Sequence, residues 1–340
     1  MTVEEARGLF DPAGPYLNTA TFGLPPRPAW EALQAALADW HSGRTSWEHW
    51  GESTERARAL WAGLVGVPVE RVAVGATVSE LIGLVAAATR PGRVLTVEND
   101  FTSLLWPFLA QGHDVTSVPL DRLAARVDAG VDVVAVSAVQ SVNGAVADLD
   151  ELVAAARAHG ALVVVDATQA VGWLPLDGSR LDAVAGAGYK WLCSPRGTAW
   201  LALSERLLER VTPLHAGWWA SETFRDYYGP QLRLATEARR LDTSPAWFSW
   251  VGCAPALEVF AAVGVEAIHE HDVGLANRFR AGLELEPSSS AIVSVEVAGA
   301  DEKLARAGIR AATRAGSVRA SFHLSTSEAD VDAALDALAA

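Results

Sequence analysis

Short apolar strands alternate with helical stretches through the middle of this chain, and this alternation constrains its fold more than any other feature. The strand patterns are rich in valine and continuous, without the polar alternation of a half-exposed sheet. Strands of this kind belong to parallel sheets whose two faces are both covered by crossover helices. The sequence therefore predicts an α/β fold on a mainly parallel sheet, with strands at 71–74, 93–97, 131–136, 162–166 and 197–203.

One helix, predicted over 149–159, carries signals at both of its ends. Asp148 stands where it can cap the first turn, with Glu151 three residues later as a capping-box partner. Gly160 follows the last turn, where a left-handed residue commonly ends a helix. Further helices are predicted over 101–110, ending before Gly112, and from the 71–74 strand to residue 88.

The pattern of the chain changes near residue 253. Helical residues continue to about 285, and strand patterns at 290–297 and 318–324 then alternate with helices, the last of them over 328–339. This arrangement predicts a small C-terminal α+β lobe at 253–340, preceded by a large lobe at 66–252. The first 65 residues are expected to form an arm and helices that pack with the small lobe.

Composition argues against several classes of partner. The formal net charge is −14 at pH 7, and no basic stripe could neutralise the phosphates of nucleic acid or of an anionic membrane. No apolar run approaches the roughly 20 residues of a membrane span, and the N-terminus lacks the basic and apolar regions of a signal peptide. We therefore expect a cytoplasmic protein that acts on a small molecule.

Cysteine and histidine usage predicts no metal site. The chain has two cysteines, Cys193 and Cys253, which are too few for a disulfide framework or a cysteine-only metal site. The closest histidines, His269 and His271, are two positions apart on a predicted helix, so their side chains point in different directions.

Lysine is rare here, with two lysines among 27 basic residues. Lys303 lies in a polar stretch and fits an ordinary surface position. Lys190 lies instead in a glycine-rich aromatic segment, 186–191, and follows Asp166 by 24 positions. Arginine supplies charge equally well but stays protonated, whereas a desolvated lysine amine can form an imine. Lys190 is therefore predicted to serve carbonyl chemistry.

Other candidate groups follow the ends of predicted strands, which is the edge where parallel sheets bind ligands. Ala76 and Thr77 form a strand-to-helix turn, where backbone N–H groups and the helix dipole favour a phosphate. Asp166 ends its strand, and Gln169 follows three residues later. Together with Lys190 these residues suit pyridoxal 5'-phosphate, which needs a lysine imine, an acid at its pyridine nitrogen and a phosphate cup.

Three segments carry a family resemblance: 16–25, 165–170 and 318–325. They resemble, in turn, the opening segment, the Asp-x-x-Gln motif and the arginine-bearing strand of the class V aminotransferase family of fold type I enzymes. That family includes cysteine desulfurases, kynureninases, isopenicillin N epimerase and sulfoxide C–S lyases. The resemblance implies pyridoxal phosphate as cofactor, a large lobe on a seven-stranded sheet and a small C-terminal lobe.

The resemblance also implies which residues hold the cofactor. Lys190 would bind it as a Schiff base and then move the Cα proton of the substrate. Asp166 would keep its pyridine nitrogen cationic. The other implied contacts are Gln169 at the ring hydroxyl oxygen, Phe101 stacked on the ring, and Ala76 and Thr77 at the phosphate.

Contacts to an amino-acid substrate and to a second subunit are implied as well. Arg319 would hold the α-carboxylate through a bidentate fork. Asn18, in the opening segment, is a further candidate for substrate binding. Thr243 and Ser244 resemble a turn that reaches the phosphate of the neighbouring subunit, so the resemblance implies a homodimer.

Departures from the family pattern bear on the chemistry. Many relatives place serine and histidine before the lysine, where this chain has Ala187 and Tyr189, so Tyr189 becomes a candidate phosphate donor. Ser141 stands near the position where many relatives carry an asparagine close to the ring. Desulfurases place a long loop with a catalytic cysteine before the substrate arginine, but here the segment 313–319 is short and contains no cysteine. A persulfide mechanism is therefore not expected.

The motifs leave the reaction itself open, because its branches differ in one or two proton donors and in pocket shape. We place amino-group transfer first, a C–S or C–C lyase without a catalytic cysteine second and an epimerase third. A pyridoxal-phosphate-fold regulator is the non-enzyme alternative, and a nicotinamide-dependent dehydrogenase is opposed by the lack of a Gly-x-Gly-x-x-Gly turn. Trp218, Trp219 and Trp247 indicate an apolar or planar substrate side chain, with Trp218 as a candidate contact.

Overall fold

A seven-stranded sheet forms the centre of the protein in the computed structural model, which describes residues 1–314 and 316–340. Its strands in chain order are β1 Val72–Gly75, β2 Arg93–Val97, β3 Asp114–Val118, β4 Val133–Ser137, β5 Leu162–Asp166, β6 Ala183–Ala187 and β7 Ala199–Leu203. Their spatial order is β1-β7-β6-β5-β4-β2-β3. β7 runs antiparallel to both of its neighbours, and the other pairs are parallel. The predicted α/β fold on a mainly parallel sheet is confirmed.

Helices cover both faces of this sheet. The helices up to residue 282 are, in chain order, α1 Val3–Arg7, α2 Arg27–Ser42, α3 Trp47–Val65, α4 Val78–Ala88, α5 Thr102–Ala110, α6 Leu149–His159, α7 Glu205–Leu208, α8 Trp247–Val263 and α9 Val265–Gly282. The last of these, α9, packs mainly on the small C-terminal lobe. α6 has the predicted bounds. The Asp148 carboxylate accepts a hydrogen bond from the Glu151 N–H at 2.9 Å, and Gly160 is left-handed, with φ 78°.

The valine-rich strands bury side chains on alternate faces. Val134 and Val136 of β4 belong to a core shared with α3, α6 and α8, whereas Val133 and Ala135 belong to a core shared with α4 and α5. Every residue of β4 is buried. Burial of a valine or leucine side chain stabilises the folded state by roughly 1.5–3 kcal/mol, so this two-sided core fixes the strand order and the edge at which ligands bind.

A second, three-stranded antiparallel sheet lies near the C-terminus, in the order β8-β10-β9. Its strands are β8 Ile292–Val295, β9 Ala312–Arg314 and β10 Ser317–Ser321, with helices α10 Ala300–Arg306 and α11 Glu328–Ala339. α11 begins at a capping box formed by Ser327 and Asp330. The short segment 313–319 forms the β9–β10 hairpin, of which Ala315 lies outside the described residues.

The helix predicted from about residue 253 to 285 is two helices. Gly264, with φ 91°, separates α8 from α9, and α8 already begins at Trp247, so residue 253 lies inside a helix. The N-terminal arm contacts the small sheet through bridges between Tyr16 and Arg310 and between Asn18 and Ser321. The proposed division at 1–65, 66–252 and 253–340 stays a prediction.

Within the described residues, no single helix is both long enough and apolar enough to cross a membrane. Only α8 and α9 taken together meet the length and composition criteria, and they are joined across an 86° bend.

Candidate active site

A cavity of about 230 Å³ lies at the carboxyl ends of the parallel strands. This is the edge where open α/β sheets bind ligands. The structure brings together here the seven residues Ala76, Thr77, Phe101, Asp166, Gln169, Tyr189 and Lys190, each predicted from the sequence to contact the cofactor. The cavity wall also includes Ser141, Thr168 and Arg196.

Lys190 follows β6 and is almost fully buried, with 6% of its surface exposed. Its Nζ lies 5.0 Å from the ring centroid of Phe101 and 5.7 Å from that of Tyr189. Among the described residues it forms no hydrogen bond or ion pair. Burial lowers the pKa of Lys190 to about 8, against the opposing effect of Asp166. A far larger fraction of this amine is therefore uncharged near neutral pH than for an exposed lysine, and imine formation requires the uncharged form.

Asp166 is the last residue of β5, and its carboxylate is buried at the cavity wall. Its Oδ1 accepts a hydrogen bond from the Thr168 N–H at 2.8 Å. No hydrogen bond to its Oδ2 occurs within the part of the chain that the structure describes. Burial raises the pKa of Asp166, which means that the charged form lacks full compensation. A cationic N–H donor in the cavity would supply that compensation.

A buried acid that was not assigned a role from the sequence, Asp100, positions Phe101. The Asp100 carboxylate accepts hydrogen bonds from the N–H groups of Phe101, at 2.6 Å, and Ser137, at 2.8 Å. The Ser137 hydroxyl donates a third, and Gln140 donates a fourth at 3.3 Å. Asn99 before it has a left-handed φ of 62°, which turns the chain sharply between β2 and α5. This turn presents the Phe101 ring to Lys190.

The turn predicted to bind phosphate, Ala76 and Thr77, lies at the N-terminus of α4. Thr77 caps this helix by accepting a hydrogen bond from the Glu80 N–H at 3.3 Å. The Ala76 N–H donates to Oε2 of Glu80 at 3.0 Å, so an acid already occupies one of the donors predicted for phosphate. Arg196, which sequence reasoning missed, lines the same cavity, and its guanidinium stacks 4.4 Å from the Tyr189 ring. This cation and the helix dipole both favour an anion here.

Gln169 is fully hydrogen-bonded. Its Nε2 donates to the Ala20 carbonyl and to Oγ of Ser141, each at 3.0 Å, and its Oε1 accepts from Nε1 of Trp191 at 2.8 Å. A hydrogen bond from Gln169 to a cofactor oxygen would replace the one to Ser141. The residue therefore also ties the Asp-x-x-Gln turn to the N-terminal arm and to the lysine loop.

Arg319 lies behind the cavity wall, where it contacts Ser141. It is 1% exposed and donates to both the carbonyl and the hydroxyl oxygen of Ser141, and to Oγ1 of Thr21 at 2.7 Å. Its Nε is buried and has no partner in the described part of the chain. Burial lowers the pKa of Arg319 to about 10, and Arg314 adds to this effect. An anion at this point would satisfy both the spare donor and the charge.

Five predicted site residues do not line the cavity of this subunit: Arg319, Asn18, Thr243, Ser244 and Trp218. Asn18 pairs with Ser321 through the backbone, and its Oδ1 is buried without a partner among the described residues. Thr243 is half-buried and Ser244 is exposed. Trp218 packs edge-on against Trp47, with ring centroids 5.0 Å apart, inside an aromatic cluster. Their predicted roles in binding stay predictions.

The cysteines lie away from the cavity wall. Cys193 and Cys253 are both buried and free, and burial raises the pKa of each thiol. A buried thiol of raised pKa is a poor nucleophile. Among the residues that the structure describes, no group of three or more His, Cys, Asp or Glu side chains is placed to hold a metal ion.

Comparison with known families gives this geometry its context. The sequence model described as Aminotransferase class-V matches residues 49–311. The chain belongs to the class V aminotransferase family. The family resemblance predicted from the three motif segments is therefore confirmed.

Among class V relatives, isopenicillin N epimerase of Streptomyces clavuligerus is 33% identical over 244 residues, covering 63% of this chain and 60% of the epimerase. Kynureninase of Deinococcus radiodurans is 30% identical over 302 residues, covering 80% of this chain and 72% of the kynureninase. The structure of the cysteine desulfurase CsdA from Escherichia coli is similar with a TM-score of 0.83 at 23% identity, covering 100% of this chain and 98% of that chain. The last comparison shows a shared fold.

The cavity fits the cofactor of class V aminotransferases, pyridoxal 5'-phosphate. A buried amine without an acid partner in the described residues, Lys190, suits its aldehyde. The Asp166 carboxylate, with a raised pKa, suits its pyridine N–H. Arg196 and the N-terminus of α4 suit its phosphate. The cofactor predicted from the sequence is confirmed as that of the family.

Proposed function

We propose that this protein is a pyridoxal-phosphate-dependent aminotransferase that acts on an amino acid. The observation that carries the proposal is that Lys190 is the one amine among the described residues of the cavity wall.

When bound, pyridoxal phosphate supplies an aldehyde that condenses with amines and a ring that accepts electrons from Cα of the substrate. Lys190 supplies the amine that holds the cofactor and then removes the Cα proton. Asp166 holds the proton on the pyridine nitrogen, because a buried carboxylate of raised pKa gains from a cationic neighbour. Phe101 packs on the ring, and Arg196 with the α4 turn binds the phosphate.

A single mobile base favours amino-group transfer. The proton that Lys190 removes from Cα must return to a carbon atom, and Lys190 itself is the amine placed to deliver it. Its pKa of about 8 lies close to neutral pH, so the amine can both take and give a proton. Arg319 fixes the α-carboxylate, which keeps Cα within reach of Nζ.

A lyase is the second candidate, and Tyr189 is the observation that favours it. Tyr189 lines the cavity beside Lys190, and burial raises the pKa of its phenol. A phenol that stays protonated can donate to a departing side-chain group. Such a C–S or C–C lyase would not use a cysteine, because Cys193 and Cys253 are buried away from the cavity wall.

We also propose that the active unit is a homodimer located in the cytoplasm. Thr243 and Ser244 lie outside the cavity of their own subunit, and Ser244 is exposed. If a second copy docks on this surface, Thr243 and Ser244 of one subunit would lie against the phosphate-binding turn of the other. Sedimentation of the purified protein tests this, and a monomer that turns over at full rate would contradict it.

The deciding experiment is a panel of amino acids added to the holoenzyme, with and without keto-acid acceptors. Amino acid alone should remove the visible absorbance and yield about one equivalent of the matching keto acid per active site, because the bound cofactor takes up the amino group once. Added acceptor should restore the absorbance, and keto acid should then form continuously only while the acceptor is consumed. Release of ammonia, or of sulfide from sulfur amino acids, without acceptor use would favour the lyase. A protein that stays colourless with added cofactor would refute both candidates.

A further inference from the structure

Two arginines of the small sheet converge on one hydroxyl group. Arg314, which ends β9, and Arg319, in β10, both donate from Nη2 to Oγ1 of Thr21, at 3.2 and 2.7 Å. Arg314 pairs with Ser317 across the hairpin, so Arg314 and Arg319 lie on the same face as diagonal neighbours. Their remaining hydrogen bonds go to the Thr313 carbonyl and to Ser141. Within the described residues, neither guanidinium has a carboxylate partner.

This arrangement is electrostatically incomplete. Thr21 offers a neutral oxygen to two cations, which does not offset their mutual repulsion. The Nε–H of Arg319 is buried without a partner in the described chain, and an unpaired buried donor of this kind destabilises a protein unless something binds it. Paired, fork-shaped donors around one point are the arrangement that binds carboxylates.

The arginines around the cavity outnumber the anionic groups of cofactor and substrate assigned to them. Three arginines, Arg196, Arg314 and Arg319, act together on the Lys190 amine, and Asp166 is the acid that opposes them. In the proposed function, the cofactor phosphate binds beside Arg196, and the α-carboxylate of the substrate binds Arg319. Arg314, which is exposed, is left without a counter-charge among the residues that the structure describes.

We propose that Arg314 binds a second acidic group, on the side chain of the substrate, so that this enzyme selects amino acids with a carboxylate side chain. This rests on the proposed function, since Arg319 is taken to hold the α-carboxylate. An acidic substrate side chain thus replaces the apolar or planar one that the sequence predicted from Trp218, Trp219 and Trp247. Trp218 packs in an aromatic cluster with Trp47, whereas Arg314 shares Thr21 with Arg319, the residue proposed to hold the α-carboxylate.

The test uses ligands that bind without reacting. Succinate and its monoamide, succinamate, differ by one carboxylate and are titrated into the holoenzyme by calorimetry. We expect succinate to bind at least about tenfold more tightly, which is the effect of one hydrogen bond to a charged group. Arg314→Gln should bring the ratio of the two dissociation constants close to one, and Arg314→Lys should restore part of it.

Two further variants separate this role from general effects. Arg319→Gln should weaken both ligands, because both keep the carboxylate that it binds. Arg126→Gln removes an exposed arginine of the segment between β3 and β4 and should leave the ratio as in the wild type.

The outcomes distinguish this inference from the proposed function. Equal binding of succinate and succinamate by the wild type, or an unchanged ratio in Arg314→Gln, overturns the role of Arg314. If the role of Arg314 fails in this way, glutamate and aspartate should change the visible spectrum no more readily than glutamine and asparagine do. The aminotransferase proposal would still stand, because it does not depend on Arg314. If no amino acid changes the spectrum, the proposed function fails, while the succinate ratio still reports on Arg314.

Discussion

Gly23 donates its backbone N–H to the carbonyl oxygen of Tyr189 at 2.9 Å, which ties the N-terminal arm to the residue before Lys190. A Cβ at position 23 would overlap the Lys190 carbonyl oxygen and stand 2.9 Å from Cα of Cys193. Glycine is thus required here for close approach of two backbones rather than for an unusual φ. The arm therefore forms part of the wall that holds the lysine loop in place.

Gly23→Ala should displace the lysine loop and slow cofactor attachment by about tenfold or more, because small misplacements of a reacting group are costly. The growth of visible absorbance after mixing apoprotein with pyridoxal phosphate measures this rate. Gly83→Ala is the matched control, since a Cβ there meets nothing within 4 Å and the position lies inside α4. An attachment rate in Gly23→Ala equal to that of the control would show that the contact does not matter.

Cofactor attachment should also depend on pH in a way that reports on Lys190. The amine reacts when uncharged, and burial lowers its pKa from 10.5 to about 8. The attachment rate of the apoprotein should therefore rise up to about pH 8 and then level off. Because the folded-state pKa lies below the unfolded one, the stability of the apoprotein should rise between about pH 8 and pH 10.5.

Lys190→Ala is the control for this profile and should abolish the lysine-bound absorbance after dialysis. Stopped-flow mixing across a pH series gives the midpoint. A midpoint near 10.5 would mean that the amine is not desolvated as the structure shows.

The two cysteines should be dispensable for turnover. Both thiols are buried outside the cavity wall, and burial raises the pKa of each, so neither supplies a thiolate near neutral pH. We expect the variant with Cys193→Ala and Cys253→Ala to keep kcat within about threefold of the wild type, a margin for repacking of the core. If turnover disappears while the cofactor absorbance stays, the single variants identify which cysteine is responsible. That result would support a sulfur-transfer mechanism.

Local sequence signals predicted many of the elements that position the cofactor, but not β6, the strand before Lys190, whose alanines and glycine give no valine-rich run. The bounds of α6 follow from Asp148 and Gly160, and β5 follows from its uninterrupted run of apolar residues. β3 was not predicted, because it is an edge strand whose first four residues are exposed or half-buried and therefore lacks an apolar run. Gly264 was not recognised as the break between α8 and α9, because an isolated glycine is also tolerated within helices.

The contacts that complete the site depend on residues far apart in sequence. Arg319 meets Thr21 across 298 positions, and Gln169 meets Ala20 across 149. No local pattern encodes such pairs, since they form only after the arm folds over the sheet. Asp100 carried the one usable local signal, an acid just after a buried strand, but its partners Ser137 and Gln140 lie on another strand end.

Arg58 and Asp242 form a fully buried ion pair that positions the segment before Thr243. Arg58 donates to both carboxylate oxygens of Asp242 and to the Val72 carbonyl, and Asp242 accepts from the Val74 N–H at 2.8 Å. Burial raises the pKa of Asp242 to about 6, although Arg58 opposes this. The carboxylate thus depends on its partner for remaining charged at neutral pH.

Arg58→Met should lower the free energy of unfolding by roughly 3–5 kcal/mol, because it leaves a buried acid without its cation. Urea denaturation of the apoprotein measures the loss. The double variant Arg58→Met, Asp242→Leu removes both charges and should recover much of it, since replacing a buried pair with apolar groups is often close to neutral. If the double variant is no more stable than the single one, the loss comes from packing around Arg58 and from the Val74 N–H that Asp242→Leu leaves unpaired, rather than from an uncompensated charge. If Thr243 and Ser244 contact a second subunit, Arg58→Met should also shift sedimentation toward the monomer.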